Sequence, residues 1–212
     1  ADARVRLQVV TALAGFYRDE GYAAAHEVLS RAQNPEILEA AIRGLGAYAK
    51  PEVKQTLLRY LNSDSYRNEL AETAVAAIRA QADSEYAGPL LDTLKRRQSA
   101  FTSSGLGRAL DTLAYLARHE QSKDEIRDYI APFTRSKKRS VQLAAISALG
   151  TLEDAKAIPS LETFAGAGKE SPERNAAERA ISSLRAVKKP GDDLRDLRNE
   201  VLELQKQNRD LR

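Results

Sequence analysis

The chain has 212 residues, with 33 lysine and arginine residues against 30 aspartate and glutamate residues and a formal net charge of +3. It contains no cysteine, which excludes disulfide bonds and thiolate metal sites. No stretch approaches the roughly 20 apolar residues that cross a membrane, so we expect a soluble protein of the cytoplasm or the periplasm with no membrane partner.

Helical patterns follow one another from the N-terminus, and no alternating strand pattern interrupts them. The first helix is predicted over residues 4–18 and a shorter one over residues 22–31. The third begins at Asn34-Pro35, because asparagine caps a helix N-terminus and proline fits its first turn. From there, inner and outer helices alternate. The inner set is predicted at residues 35–48, 65–81, 101–117, 138–150 and 172–186, and the outer set at residues 51–62, 84–97, 122–135 and 154–166.

Pairs of apolar residues spaced three apart recur in the first helix and in every inner helix, and we call them the anchor pairs. They are Val10/Leu13, Ile42/Leu45, Val75/Ile78, Leu110/Leu113, Ile146/Leu149 and Ile181/Leu184. Their first members are separated by 32, 33, 35, 36 and 35 residues. Such a period is typical of solenoids, in which each unit buries its apolar face against the next.

Small residues accompany the anchor pairs. Alanine precedes five of them, and its small side chain lets two helices approach closely. These alanines are Ala41, Ala74, Ala109, Ala145 and Ala180. Gly46 and Gly150 follow two of the pairs, and we expect them to end their helices.

The segment from Leu149 to Leu161, with the sequence LGTLEDAKAIPSL, resembles the HEAT-repeat pattern in its bacterial form, which is shared with phycobilisome-lyase-type repeats. The resemblance implies that Pro89 and Pro159 kink the first helix of their repeats. It also implies an aspartate in the turn between helices and an arginine near the start of the second helix, places that Asp64 and Arg67 occupy.

The resemblance covers about residues 2–187, although Leu38 and Gln142 stand where the family usually has arginine. We therefore predict an all-α fold, a right-handed α-solenoid of about five HEAT-like helix pairs after one leading half-repeat. The solenoid domain is predicted to span residues 1–188. Because this fold serves many partners, it implies an interaction or positioning role without naming the partner.

A second domain, a C-terminal heptad helix, is predicted over residues 189–212. Lys188-Lys189-Pro190-Gly191 breaks the preceding helix, and a narrow apolar stripe follows at a and d positions of a heptad. The apolar residues are Leu194, Leu197, Val201, Leu204 and Leu211, and the polar Asn208 continues the heptad seam at an a position. Asn208 at an a position favours a parallel two-stranded register. We predict a homodimer through residues 193–212, and the alternative is that this helix folds back as a cap on the solenoid.

A narrower resemblance concerns the C-terminal half. The run from Leu143 to Arg185, followed by Pro190 and the sequence LRDLRNEVLELQ from Leu194, resembles the C-terminal tail of some bacterial zinc aminopeptidases of the aminopeptidase N family. In that family a HEAT-like domain follows the catalytic domain. The chain has no methionine, even at position 1, which favours a piece of a longer protein. The resemblance implies a non-catalytic domain whose partner is its own catalytic domain.

Catalytic, cofactor and metal sites are not predicted for this chain. His26-Glu27 begins like the zinc-peptidase motif H-E-x-x-H, but Ser30 occupies the second ligand position and the other histidine, His119, lies in a different repeat. Serine has no paired histidine for triad chemistry. We therefore expect that the chain is not an enzyme and needs no cofactor.

Two basic clusters remain as a candidate anion or partner patch. They lie in connections that follow outer helices and consist of Lys95, Arg96 and Arg97 in the first cluster and Arg135, Lys137, Lys138 and Arg139 in the second. The alternative is ordinary surface charge near helix C-termini. Nucleic-acid binding, as in the HEAT-like DNA glycosylases, is not favoured because the chain has no tryptophan and its four phenylalanines are not clustered.

The predicted function is a non-catalytic protein-interaction or positioning domain, the C-terminal part of a zinc aminopeptidase-like protein. The alternative is a free-standing HEAT scaffold that binds a protein partner in its concave face. A HEAT-like DNA glycosylase is a third and less favoured possibility.

Overall fold

The structure, a computed structural model, describes residues 3–14, 19–166 and 170–186, and over these residues it consists of helices and turns without a strand. The helices are α1 (Ala3–Ala14), α2 (Asp19–Arg31), α3 (Pro35–Leu45), α4 (Pro51–Leu61), α5 (Glu69–Gln81), α6 (Ala87–Arg97), α7 (Ser103–Ala117), α8 (Asp124–Ile130), α9 (Arg139–Thr151), α10 (Ile158–Ala165) and α11 (Pro172–Ala186). No helix in these ranges is both long and apolar enough to cross a membrane.

Two layers of helices run through the described residues. The odd-numbered helices, α1 to α11, form the inner layer, in which each helix packs against the next odd-numbered one. The even-numbered helices form the outer layer, and each packs against the inner helix that follows it. This arrangement is an α-solenoid of five helix pairs after a leading inner helix, as the anchor period predicts.

The anchor pairs form the centre of the core. Ile42, Leu110 and Ile146 are completely buried and Val75 is 2% exposed, as expected for residues through which each unit packs against the next. The second members of these pairs are equally enclosed, and outer-helix leucines such as Leu57 and Leu90 complete the interior. The apolar core is therefore continuous along the stack.

Glycine residues allow the inner helices to approach one another closely. A Cβ atom placed on Gly107 would lie 2.8 Å from Ala144 Cβ, and one placed on Gly150 would lie 2.9 Å from Ala180 Cβ. The prediction that Gly150 ends a helix is wrong, because it lies inside α9. Its size, rather than its backbone freedom, explains its presence. Gly46 does cap its helix, in a right-handed conformation.

The structure shows where the predicted caps and prolines lie relative to the helix ends. Asn34 caps α3 as expected, accepting a hydrogen bond from the Glu36 backbone N–H at 2.9 Å. Pro159, for which the resemblance implies a kink, lies in the first turn of α10, directly after a 3-10 turn at residues 155–157. Pro89 similarly lies in the first turn of α6.

Two other predicted boundaries move. Arg67 lies in a 3-10 turn before α5 with φ of 50°, so the predicted helix over 65–81 begins later. The outer helix predicted over 122–135 divides into α8 and a 3-10 turn that contains a proline. The heptad prediction for residues 189–212 lies outside the described residues.

Candidate functional site: the inner-helix face

The first basic cluster holds neighbouring repeats together. The Lys95 ammonium group lies 2.7 Å from the Glu125 carboxylate in the next repeat. Arg97 makes an ion pair with Asp64 of the preceding repeat, and Arg96 donates to the Asn62 side chain at 3.1 Å. These three cations are therefore paired within the solenoid. Their contacts favour ordinary surface charge over a ligand site.

The second basic cluster is only partly occupied. Arg139 makes an ion pair of 2.8 Å with Glu173 on α11. The backbone N–H at the start of α11 and the Arg139 guanidinium lower the pKa of the Glu173 carboxyl. Arg135, Lys137 and Lys138 are exposed and make no ion pair with the described residues. These three side chains remain available to solvent.

A denser ion-pair group connects α8 to the following repeat. Arg127 is only 17% exposed and lies 2.8 Å from Asp154 and 2.6 Å from Asp124. Lys156 approaches Asp124 from the next repeat at 2.8 Å. Hydrogen bonds from Lys156 and Arg127 lower the pKa of the Asp124 carboxyl. The charged side chains of this group are therefore paired with one another, in part across a distance of roughly one repeat.

Two grooves lie on the face of the inner helices. The first, of about 560 Å³, is formed by α5, α7 and α9, and the second, of about 900 Å³, is formed mainly by α7, α9 and α11. Ser147 on α9 is exposed and lines both grooves, so they adjoin one another. Small side chains such as Ala144 and Ala176 leave this space open between the anchored helices.

Charges in the first groove are matched to one another. Glu72 on α5 is 10% exposed and makes an ion pair of 3.1 Å with Arg108 on α7. It also accepts a hydrogen bond from the Thr102 backbone N–H at 2.9 Å. Its carboxylate occupies the space beside Gly105, where a Cβ would lie 1.9 Å from the Glu72 Cδ atom.

A second matched group crosses three inner helices. Asp111 on α7 lies 3.1 Å from Arg79 on α5, and it accepts a hydrogen bond of 2.9 Å from the Thr151 hydroxyl on α9. The charges of the first groove therefore compensate one another and fix the relative positions of the helices.

The second groove differs because it holds arginines without an acidic partner. Tyr115 has two guanidinium groups near its ring centroid, Arg79 at 4.2 Å and Arg118 at 3.7 Å. Arg118 is partly buried and donates to the Tyr115 backbone carbonyl, while exposed Arg179 donates to the Asn175 carbonyl at 3.1 Å. Neither arginine makes an ion pair with a described acidic residue.

The acid that lines the second groove has its own cation nearby. The Lys123 ammonium group donates to the Glu153 backbone carbonyl at 3.0 Å. Burial lowers the pKa of Lys123, and the charges of Glu153 and Asp154 oppose this shift. Because Lys123 lies beside Glu153, the Glu153 carboxylate does not neutralise Arg118 and Arg179. The groove therefore retains an excess of positive charge.

The lining of this groove follows no recurring residue type in the sequence, so the groove was not predicted. Asp111 and Ser147 come one position after the first anchors of α7 and α9. Tyr115 and Thr151 lie four residues further along the same helices and therefore on the same face. A spacing of four residues from Asp111 and Ser147 is therefore the sequence signal that identifies them.

No group of three or more histidine, aspartate or glutamate side chains that could hold a metal ion occurs within the described ranges. His26 and His119 are both exposed, and His26 lies beside the Tyr22 ring on α2.

Comparison with known proteins agrees with this fold. Residues 1–79, less than half of the chain, match the family model described as HEAT repeats. A search of curated proteins found no match. Among solved structures, the crystal structure of an engineered protein from a structural genomics consortium is similar, with a TM-score of 0.54 and 17% identity over 88% of this chain and 92% of that chain. The repeat match and the solenoid fold together support a HEAT-repeat domain.

Proposed function

We propose that this chain is a non-catalytic protein-interaction scaffold that holds a segment of a partner protein along its inner-helix face. The observation that supports it most directly is the pair of adjoining grooves, which extends over α5, α7, α9 and α11. Solenoids commonly use such extended surfaces for binding. The charges of the first groove are paired with one another, while the second groove holds two arginines that make no ion pair with a described acidic residue.

Photo-crosslinking tests where the partner binds. A photoreactive amino acid replaces Ser147, which is exposed between the two grooves, and a control variant carries it at Gln55, which is exposed on outer helix α4. In cells of the source organism, we expect defined protein adducts from position 147 that position 55 does not give. Equal adduct patterns, or none from position 147, contradict the proposal.

A finer version makes the partner a catalytic domain in the same polypeptide. It is supported by the resemblance of the stretch from Leu143 to Arg185 to the tail of aminopeptidase N enzymes. In this version the solenoid restricts or orients access to the peptidase active site. The gene sequence upstream of Ala1 tests it, since an H-E-x-x-H motif with a downstream glutamate ligand is expected. If that motif is missing, the free-standing scaffold is the better version.

Self-association is a further part of the proposed function and is supported by the heptad in residues 193–212. We expect the full chain to form a parallel dimer at high micromolar concentration, measured by light scattering. Deleting residues 190–212 should return a monomer. A full-length chain that stays monomeric at every concentration supports the alternative, in which this segment caps the solenoid.

A further inference from the structure

We infer that the second groove binds an acidic segment of a partner protein and that Arg118 and Arg179 hold its aspartate or glutamate carboxylates. This inference rests on the proposed scaffold function and names the chemistry of the partner. Both arginines line the groove, one from the C-terminal end of the α7 region and one from α11. A carboxylate accepts paired hydrogen bonds from the planar guanidinium group, which makes it a well-matched ligand.

The cations around Tyr115 provide the first argument. Arg79 and Arg118 both lie within about 6 Å of one ring centroid, the range of a cation–π interaction. Two guanidinium groups this close to one ring repel each other unless an anion is nearby. Asp111 supplies that anion for Arg79 at 3.1 Å, whereas Arg118 has no described acidic partner. A carboxylate from a partner protein would complete the second pair.

The charge along the groove provides the second argument. Its charged lining residues are Arg118, Arg179 and Glu153. Lys123 lies against Glu153 and interacts with its charge, as the opposing effect on its pKa shows. The two arginines therefore dominate the field in the groove, and an acidic ligand is attracted there while a basic one is repelled.

The rest of the lining suits a peptide better than a nucleic acid. Leu143, Ala176 and Ala180 give the groove an apolar wall for side chains between the acidic ones. Single-stranded nucleic acids need free aromatic faces for base stacking and several phosphate contacts. Tyr115 is already contacted by two guanidinium groups, and Arg135, Lys137 and Lys138 are not among the lining residues.

The test measures binding of a fluorescein-labelled peptide of alternating glutamate and alanine by fluorescence anisotropy. The groove variant is R118Q/R179Q, and the control R31Q/R59Q removes the same charge from exposed arginines on α2 and α4, outside the groove. We expect the full chain to bind the peptide and the groove variant to bind roughly 100-fold more weakly, about tenfold for each arginine. The control should bind within about twofold of the unchanged chain. R118K/R179K, which keeps the charge but loses the planar donors, should be intermediate.

Other outcomes overturn the inference. The inference is wrong if the unchanged chain does not bind the acidic peptide, or if the groove and control variants lose the same amount of affinity. It is also wrong if labelled oligo-dT binds more tightly than the peptide and R118Q/R179Q abolishes that binding.

Circular dichroism checks that the variants fold. If R118Q/R179Q does not fold, R179Q alone must weaken peptide binding about tenfold, because Arg179 is exposed. If crosslinks from position 147 persist in R118Q/R179Q, the scaffold stands and only the acidic partner is excluded. If position 147 gives no adducts in the unchanged chain, the scaffold itself fails.

Discussion

Ala82 ends α5 in the left-handed conformation, with φ of 52° and ψ of 24°. An L-residue with a Cβ atom is strained there by about 1–2 kcal/mol, whereas glycine is not. Part of this gain is offset because glycine is more flexible in the unfolded chain. We expect Ala82→Gly to increase the free energy of unfolding by about 0.5–1 kcal/mol, as measured by urea denaturation.

The matched control is Ala80→Gly, two residues earlier on the exposed side of the same helix. Inside a helix, the same substitution should decrease the free energy of unfolding by about 1 kcal/mol. If both variants are destabilised equally, the left-handed cap at Ala82 is not the state that the protein populates in solution.

Asp124 gives the stability of the protein a defined pH dependence. Its carboxylate accepts hydrogen bonds from Lys156 and Arg127, which lower its pKa from the ordinary value of 3.8. A group with a lowered folded-state pKa contributes stability above its unfolded pKa and loses that contribution as the pH falls through the folded value. We therefore expect Asp124→Asn to lower the Tm near neutral pH, and the difference in Tm to shrink and disappear as the pH falls below 3.8 and through the folded-state pKa.

Calorimetry of both proteins across this pH range tests the prediction. Glu173 shares the direction of the pKa shift, so the variant should still lose stability in acid, although less steeply than the unchanged chain. Added salt should reduce the difference at neutral pH because both partners are partly exposed. A difference in Tm that is constant with pH contradicts an electrostatic role for Asp124.

At the level of the helices, Gly107 and Ala144 define how closely α7 and α9 pack. A Cβ atom on Gly107 would lie 2.8 Å from the Ala144 Cβ, closer than two carbon atoms can approach. Gly107→Ala alone should therefore force the helices apart. The double variant Gly107→Ala/Ala144→Gly exchanges the two side chains and restores the space.

A double-mutant cycle isolates this contact because the changes in helix propensity cancel. We expect the double variant to be more stable than the sum of the single variants predicts, by about 1–2 kcal/mol. Free energies of unfolding from chemical denaturation give the four corners of the cycle. A coupling energy near zero means that α7 and α9 are further apart in solution than this contact requires.

Whether a feature of the stack could be predicted depends on how far apart in the sequence the contacting residues lie. Anchor pairs such as Ile42/Leu45 are a local signal, so the helices and their period were correctly predicted. The packing role of Gly150 was not predicted, because Ala180, the residue that it faces, lies one repeat away in the sequence. Sequence spacing reports contacts within a helix, and it gives no direct information on which side chains meet between helices.

The first basic cluster shows the same limit of sequence spacing. Lys95 and Arg97 appear as an uncompensated run in the sequence, but their acidic partners lie in the neighbouring repeats. Arg118 and Arg179, which make no ion pair with a described acidic residue, are far apart in the sequence and come together on one groove only in the folded chain. A cluster along the chain and a cluster in space are therefore different signals in a solenoid.

For the whole molecule, the layered arrangement predicts that stability varies along the stack. Each repeat contacts only its neighbours, so local opening is governed by the contacts on its two sides. Inner helices α5, α7 and α9 are packed on both sides, and Leu110 in α7 is completely buried. By contrast, α1 exposes 54% of Val5 and 50% of Val9.

Hydrogen exchange measured by mass spectrometry tests this gradient. We expect the backbone amides of α7 to exchange most slowly and those of α1 to exchange fastest among the described inner helices, since α1 can open without disturbing the stack. Leu110→Ala should remove about 2–4 kcal/mol of stability and speed exchange in α5, α7 and α9 while leaving α1 almost unchanged. Val10→Ala is the matched control, because it should speed exchange in α1 without changing α7. If Leu110→Ala instead accelerates every helix equally, the solenoid unfolds as one cooperative unit rather than repeat by repeat.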